Sequence, residues 1–364
     1  MTRGPESGAR AAWRRFERHR LAVAGALLLA FLYSLTLVGG FLAPYEYRAY
    51  DRARAWHPPT KVRFFDADGK FAFRPFFYAT RAETDPETLE RRFVEDESAP
   101  VPLELFVRGD AYEILFFFET DVHLFGTRPD APMRFHLFGT DRSGRDVFSR
   151  LVHGSRISLS IGIVAVLLTL AIGLALGSIS GYCGGKVDLL VQRLCEMVLM
   201  LPAFYLLISL SGAIPAEWPP EATYFAIVLI LSFVGWGGFA RVVRGIVLSV
   251  RERDYVASAR ALGARPLSTL VRHVLPATVS YVIVSATLRI PGAILAESAL
   301  SALNLGVREP AASWGNMLAD ATVNVLDVKR HPWTLVPGAA IFLTVLAFNW
   351  LGDGLRDALD PKET

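Results

Sequence analysis

The sequence predicts an all-α polytopic membrane protein of about six transmembrane helices that carries a β-rich extracytoplasmic insert. Three observations predict it. The 364 residues are 52% hydrophobic and only 20% charged, with a mean hydropathy of +0.34, a balance unlike that of a water-soluble globule of this size. Apolar runs of about 20 residues, the length a helix needs to cross roughly 30 Å of hydrocarbon, occur over 21–43, 157–179, 187–212, 222–247, 277–300 and 334–353. Between the first two lies a segment, 44–135, of different composition, rich in Phe, Arg and Asp. The net charge of +3 is too small to suggest nucleic acid as a partner, so the placement of the charges carries the information.

Residues 1–20 form a basic tail with Arg3, Arg10, Arg14, Arg15, Arg18 and Arg20, which the positive-inside rule places in the cytoplasm. The apolar run that follows exceeds the ~7–15 residues of a signal-peptide core and no A-x-A site follows directly behind it, so it reads as an uncleaved anchor.

Within 44–135, "KVRFFDADGKFAFRPFF" has two aromatic runs flanking Asp68 and Gly69, a hairpin signal. "LELFVRGDAYEILFFF" is expected to turn at Gly109 and Asp110. Between them "TDPETLERRF" reads as a short helix with Thr84 or Asp85 near its N-cap and Pro86 in its first turn. "DADG" does not fit a calcium loop, because Phe64 stands at the first ligand position and Pro75 where a glutamate is required.

The core, 136–353, opens on Asp141, Arg145 and Asp146, read as a capped helix start with Gly144 permitting the turn. Gly162, Gly173 and Gly177 in the second crossing suggest close helix packing. Cys183 and Cys195 are not expected to form a disulfide. In "GYCGGK", Ser180 replaces the first glycine of a phosphate loop and Val187 the final Ser/Thr, so this loop should bind no ATP. No Cys/His metal spacing, H-E-x-x-H or nucleophile setting occurs, so the expectation is no enzyme, no metal and no cofactor of its own.

Four crossings return the chain to the inside at 248–276, where Arg251, Arg253, Arg260, Arg265 and Arg272 accumulate. In "DYVASARALGARPLSTLVRHVLP", Tyr255, Ala259 and Leu262 are at helical spacing, Gly263 can end that helix and Pro266 begin another. The second would place Leu267, Leu270, Val271, Val274 and Leu275 on one face and stop before Pro276. The residues alone leave open a cytosolic helix-turn-helix for a partner's groove and an ordinary basic loop. In the fifth crossing Arg289 and Glu297 should face protein or water, since a charge at the bilayer centre costs about 2.5–3.5 kcal/mol. Pro291 and Gly292 between them can break the helix and let it line a cavity; a structural ion pair is the alternative. Trp314 is expected to anchor at the membrane interface. The tail 354–364 falls back in the cytoplasm.

The 254–276 stretch resembles the cytoplasmic "EAA" loop of ABC importer permeases, with Ala257, Ser258, Ala259, Gly263, Leu275 and Pro276 at the matching positions. The triplet's glutamate is replaced by Ala257. "FGTDRSGRDVFSRLVHGSRISLSIG", with Gly139, Thr140, Asp141, Gly144, Arg145 and Asp146, resembles the segment before the second crossing in dipeptide, oligopeptide and nickel importer permeases. "GYCGGKVDLLVQRLCEMVLMLP", "ILAESALSALNLGVREPAASWGNMLADA" and "FLTVLAFNWLGDGLRDALDP" resemble later parts of the same family, best its C-type member. The resemblance implies a bacterial inner-membrane subunit forming half of a peptide translocation pathway. It also implies a second homologous permease, two cytosolic subunits that use ATP and Mg, and an extracytoplasmic substrate-binding protein. Tyr255 and the matching hairpin residues would couple to the ATPases. A nickel importer or an exporter on the same scaffold, and a membrane-anchored receptor acting through the insert, are the alternatives.

Overall fold

The computed structural model describes residues 8–66, 68–84, 86, 91–114 and 118–359. Its elements, in chain order, are α1 (Gly8–Arg18), α2 (Arg20–Leu37), α3 (Gly39–Leu42), β1 (Arg63–Phe65), β2 (Phe71–Thr84), β3 (Arg91–Pro102), β4 (Glu104–Ile114) and β5 (Phe118–Gly126). There follow α4 (Val147–Cys183), α5 (Gly185–Met200), α6 (Ala203–Gly212), α7 (Pro220–Arg251), α8 (Asp254–Ala261), α9 (Pro266–Thr269), α10 (Val279–Ala302), α11 (Trp314–Thr322), α12 (Val325–Arg330) and α13 (Val336–Leu359).

Five stretches among the described residues are long and apolar enough to cross a membrane: Arg20–Leu37, Val147–Cys183, Pro220–Arg251, Pro266–Ala302 and Pro332–Leu359. The run expected at 187–212 is instead a pair, α5 and α6, bent by 84°. Pro202 explains the break. Leu201, the residue before it, is forced out of the helical region to φ −83°, ψ 131°. Counting the pair as one span gives six. The basic tail is also more ordered than its charge suggests: Gly8–Arg18 is helical, and Phe16 is buried against Ala22 and Ala358.

The chain folds as two units. The first comprises Met1–Ala30, Ser160–Leu300 and Phe342–Thr364, the second Phe31–Leu159 and Ser301–Ile341. In the first, Gly173, Gly177 and Gly181 recur every four residues on α4, one above the other on a single face. A Cβ at these positions would come within 2.7 Å of Phe239 Cδ1, 2.5 Å of the Ala240 carbonyl oxygen and 2.8 Å of the Arg244 carbonyl oxygen. The stripe therefore sets the spacing of α4 and α7, as the small-residue pattern predicts. Gly177→Ala is expected to cost about 1–3 kcal/mol through overpacking. It should lower the melting temperature of the purified chain in detergent; an unchanged melt would mean that the helices have room to spare. A bidentate fork, Arg244 Nε and Nη2 each 2.5 Å from the Asp188 carboxylate, ties α5 to α7.

In the second unit, β1, β2 and β3 form an antiparallel sheet, and β4 and β5 a separate hairpin. The turn at Asp68 and Gly69 is where the sequence places it, closed by Asp66 N–H on the Lys70 carbonyl at 3.0 Å. The second hairpin departs from expectation. Gly109 and Asp110 lie inside β4, where the register slips between Arg108 and Tyr112, and the strands pair as far as Ile114 and Phe118. The glycine serves close approach rather than a turn, since a Cβ there would meet the His123 ring at 2.8 Å. Of the helix expected in "TDPETLERRF", residues 85 and 87–90 lie outside the described residues. Thr84 and Arg91 on either side are cross-strand partners of β2 and β3, so Arg91, Arg92 and Phe93 are strand, not helix. Phe77, Val101, Met133 and Phe135 form the core beneath the sheet.

Candidate functional site

Two places gather the residues singled out by sequence. The first is the hairpin between α7 and α10. Helix α8 ends in a Schellman arrangement, with Gly263 N–H on the Arg260 carbonyl at 2.9 Å and Ala264 N–H on the Ala259 carbonyl at 3.1 Å. Gly263 adopts φ +82°, a conformation that costs an L side chain strain, and no atom lies within 4 Å of where its Cβ would stand. Tyr255, Ala257 and Ser258 are exposed, and Ala259 is half-buried. Val256 is fully buried and secures α8 from behind.

The second helix of the hairpin does not stop at Pro276. Helix α9 passes into a π turn at Leu270–Val274, a 3-10 turn at Leu275–Thr278 and then α10. The wide turn skips a residue in the hydrogen-bond ladder just ahead of Pro276, whose nitrogen carries no hydrogen to donate. Its apolar residues divide between two faces as well. Leu270 and Val274 are buried, whereas Leu267 is 72% and Val271 51% exposed. The four-residue spacing of each pair stacks its two members on one stripe, and the two stripes look in different directions.

The second place is built by the Gly139–Asp146 motif at the start of α4. Asp141 accepts from Ser143 N–H at 2.8 Å and Arg145 N–H at 3.0 Å, which folds the loop back on itself. Gly144 completes the turn at φ +79°. Thr140 bridges to Asp146 across this loop and its hydroxyl accepts from His57 N–H at 2.8 Å, while Gly139 also takes a positive φ. Asp146 caps α4, accepting from Ser149 N–H at 2.7 Å and facing His136 Nδ1 at 2.9 Å. The capped start expected there is present.

Arg145, buried, is the hub. Its Nε meets Asp141 Oδ2 at 2.6 Å, its Nη1 meets Glu309 and its Nη2 meets Asp320 Oδ2 at 2.8 Å. Burial alone lowers the Arg145 pKa, but Asp141 and Glu309 outweigh it and leave the guanidinium above its ordinary value. Glu309 is pushed up by burial and down further by Arg145, ending below the usual carboxylate range, whereas burial and the neighbouring Glu309 hold Asp320 above it. Arg150, 1% exposed, lies 3.8 Å from Asp141 and 3.4 Å from Glu309. Glu309, Asp320 and Arg150 were not identifiable as a cluster by spacing alone. The usable signal was charge: "LNLGVREPAASWGNMLADA" is a largely apolar stretch with two acidic residues and one arginine, a net negative charge that complements an arginine at a membrane-helix start.

Arg289 lies with its guanidinium carbon 5.6 Å from the Phe239 ring centre, and Glu297 is fully buried. Eight residues of helix separate them by about 12 Å, so they do not pair with each other. Pro291 and Gly292 do not break the segment; α10 runs through both. One missing backbone hydrogen bond is tolerated within a helix of 24 residues flanked by other helices. Trp314 is not an interfacial anchor. It is 2% exposed, donating its indole N–H to the Leu151 carbonyl and its backbone N–H to Ser158 Oγ, each at 2.9 Å. Among the described residues no cluster of His, Cys, Asp and Glu is arranged to hold a metal.

Residues 173–364 match the family described as "Binding-protein-dependent transport system inner membrane component", and residues 7–59 the "N-terminal TM domain of oligopeptide transport permease C". The chain is 33% identical over 352 residues to the dipeptide transport system permease protein DppC of Bacillus subtilis, covering 96% of this chain and 85% of that one. It is 37% identical over 285 residues to the oligopeptide transport system permease protein OppC of Haemophilus influenzae, covering 75% and 88% respectively. It is 40% identical over 233 residues to the glutathione transport system permease protein GsiD of Pectobacterium atrosepticum, covering 64% and 75%. A family match over the spans that carry the hairpin, together with identity running through nearly the whole chain, leads to one conclusion: this is a multi-pass permease belonging to the inner-membrane components of binding-protein-dependent transport systems.

Proposed function

We propose that the chain forms one half of the translocation pathway of an ABC importer for peptides and that it binds no ATP itself. Its partners would be a second homologous permease, two cytosolic subunits that bind ATP and Mg, and an extracytoplasmic substrate-binding protein. The observation that carries this reading is the 254–276 hairpin. It presents Tyr255, Leu262, Leu267 and Val271, 45%, 89%, 72% and 51% exposed, among arginines between two membrane-length helices, where a soluble partner can cover them. The substrates in the relatives' names, dipeptides, oligopeptides and glutathione, support a peptide cargo. With the bent α5–α6 pair taken as one crossing, four spans precede the hairpin. That parity supports a hairpin on the same side as the N-terminal arginines and both termini in the cytoplasm of a bacterial inner membrane.

In this mechanism the ATPases close on ATP and move the hairpin, and the connected helices tilt to switch access. Arg289 and Glu297 belong to the helix that follows the hairpin and would feel that motion first. The testing experiment is a mild-detergent pull-down from native membranes. Recovery of one further permease and two ATP-binding chains is the expected result. Repeated recovery of this chain alone would return the hairpin to an ordinary basic loop.

A further inference from the structure

The second unit contains a polar cleft of about 810 Å³, within the size range of sites for small ligands, about 300–1,000 Å³. It is walled by the segments after α3 and after β5, by the irregular part of β4 and by the loop that leads into α4. Its charges are arranged unusually. Arg48 is stacked on Tyr47, its guanidinium carbon 5.3 Å from the ring centre, and Arg134 on Tyr45 at 5.1 Å. Stacking orients a planar guanidinium while leaving its edge N–H groups to face outward. Apart from a 3.0 Å bond from Arg48 Nε to the Tyr47 hydroxyl, those edges meet no acceptor among the described residues, and neither arginine has an ion-pair partner there. Glu46 and Asp51 line the same cleft and form no ion pair among the described residues, although Asp51 Oδ1 accepts from Ala53 N–H at 3.0 Å. Arg48, Arg134, Glu46 and Asp51 thus share one cavity without pairing, whereas its other charged residues are engaged: Arg54 bonds Thr80 and feels the Asp51 charge, Arg108 pairs with Asp121, Arg128 with Glu104, Asp110 accepts from Glu46 N–H and Asp146 caps α4.

We propose that this cleft binds a free short peptide by its two charged ends, the terminal carboxylate at Arg48 and Arg134 and the terminal ammonium at Glu46 and Asp51. Carboxylate on a guanidinium edge is a charge-assisted, geometrically matched contact. A zwitterion satisfies both signs of charge, which a simple anion does not. The cleft also contains Asp146, the cap of α4, so an occupied cleft bears directly on the start of a membrane-length helix. The choice of a peptide as the zwitterion rests on the import reading above; the charge arrangement does not.

The test uses the full chain, purified in lipid nanodiscs, with trialanine, its C-terminal amide and its N-acetyl derivative as calorimetric probes. In the wild type the free peptide should bind about tenfold or more tightly than either blocked form, the loss expected when a charge-assisted pair is removed. The R48Q/R134Q variant, whose changed side chains are exposed, should keep its melting temperature, bind free peptide about tenfold less tightly and bind the acid and the amide alike. Equal wild-type affinity for the three probes, undiminished discrimination in the variant, equal displacement by millimolar inorganic phosphate, or no binding at all would each overturn the proposal. Trialanine uptake by cells with and without the chain is measured in parallel. Chain-dependent uptake without binding would remove the cleft site and leave the import reading; binding with uptake independent of the chain would do the reverse.

Discussion

Arg145→Met is expected to destabilise the second unit by about 3 kcal/mol, seen as a lower melting temperature of the purified chain. The substitution keeps much of the side chain's bulk but leaves Arg150 alone to offset Asp141, Glu309 and Asp320. Removing one partner of a buried ionic cluster costs about 3–5 kcal/mol. The lower figure applies because the Glu309 side chain is 51% exposed and partly solvated. Arg145→Lys should recover only part of the loss, since an ammonium cannot offer three carboxylates the separate edges that Nε, Nη1 and Nη2 provide. The deficit should also depend on pH. In the wild type Glu309 lies below its ordinary value, so its contribution is full above the unfolded carboxylate pKa and fades as pH falls through the folded one. Asp320 lies above its ordinary value, so its ionised form costs stability at neutral pH, and acid relieves that cost. Without Arg145 both carboxylates shift upward and repel. The gap between variant and wild type should therefore narrow as pH is lowered toward the ordinary carboxylate range of about 4. A gap that is absent at neutral pH, or that widens in acid, would sink this account.

On the proposed import function, Gly263→Val should reduce uptake by about tenfold or more while membrane insertion and chain abundance stay at wild-type levels. A β-branched residue at φ +82° carries about 1–3 kcal/mol of backbone strain. The chain relieves it by abandoning the Schellman turn that joins α8 to α9. Because no neighbouring atom lies within 4 Å of the new Cβ, the damage is confined to the turn. Gly263→Asn serves as the control, since asparagine tolerates the left-handed region better; it should retain most of the uptake. Equal uptake by all three proteins would show that the shape of the hairpin does not matter to transport.

Much of the fold was legible in the sequence because the bilayer imposes a length and a polarity that apolar runs record directly. Five spans and the bent pair fall where those runs fall. What sequence periodicity missed was decided by tertiary contact. Gly109 resembles a turn residue and instead makes room for His123. Trp314 has the residue type of an interfacial anchor but finds its acceptor on the Leu151 carbonyl. Pro291 reads as a helix breaker and is carried within α10. The candidate site divides in the same way. The local parts, the capped start at Asp146 and the glycine-terminated α8, follow from rules that act within a few residues. The Arg145 cluster joins positions 141, 145, 309 and 320, and no local rule connects residues so far apart in the chain.

The π turn at Leu270–Val274 has a mechanical consequence. The π turn is underwound relative to the α-helix and the 3-10 turn at Leu275–Thr278 that follows it is overwound, so the two together set the phase between α9 and α10. The chain from Pro266 to Ala302 is therefore a shaft with a joint built in near one end. The compass direction in which Leu267 points is tied, through those two irregular turns, to the direction in which Arg289 and Glu297 point more than thirty ångströms of helix away. At such a joint the relation between the tip and the rest of the shaft is set by two short turns rather than by a continuous α-helical ladder.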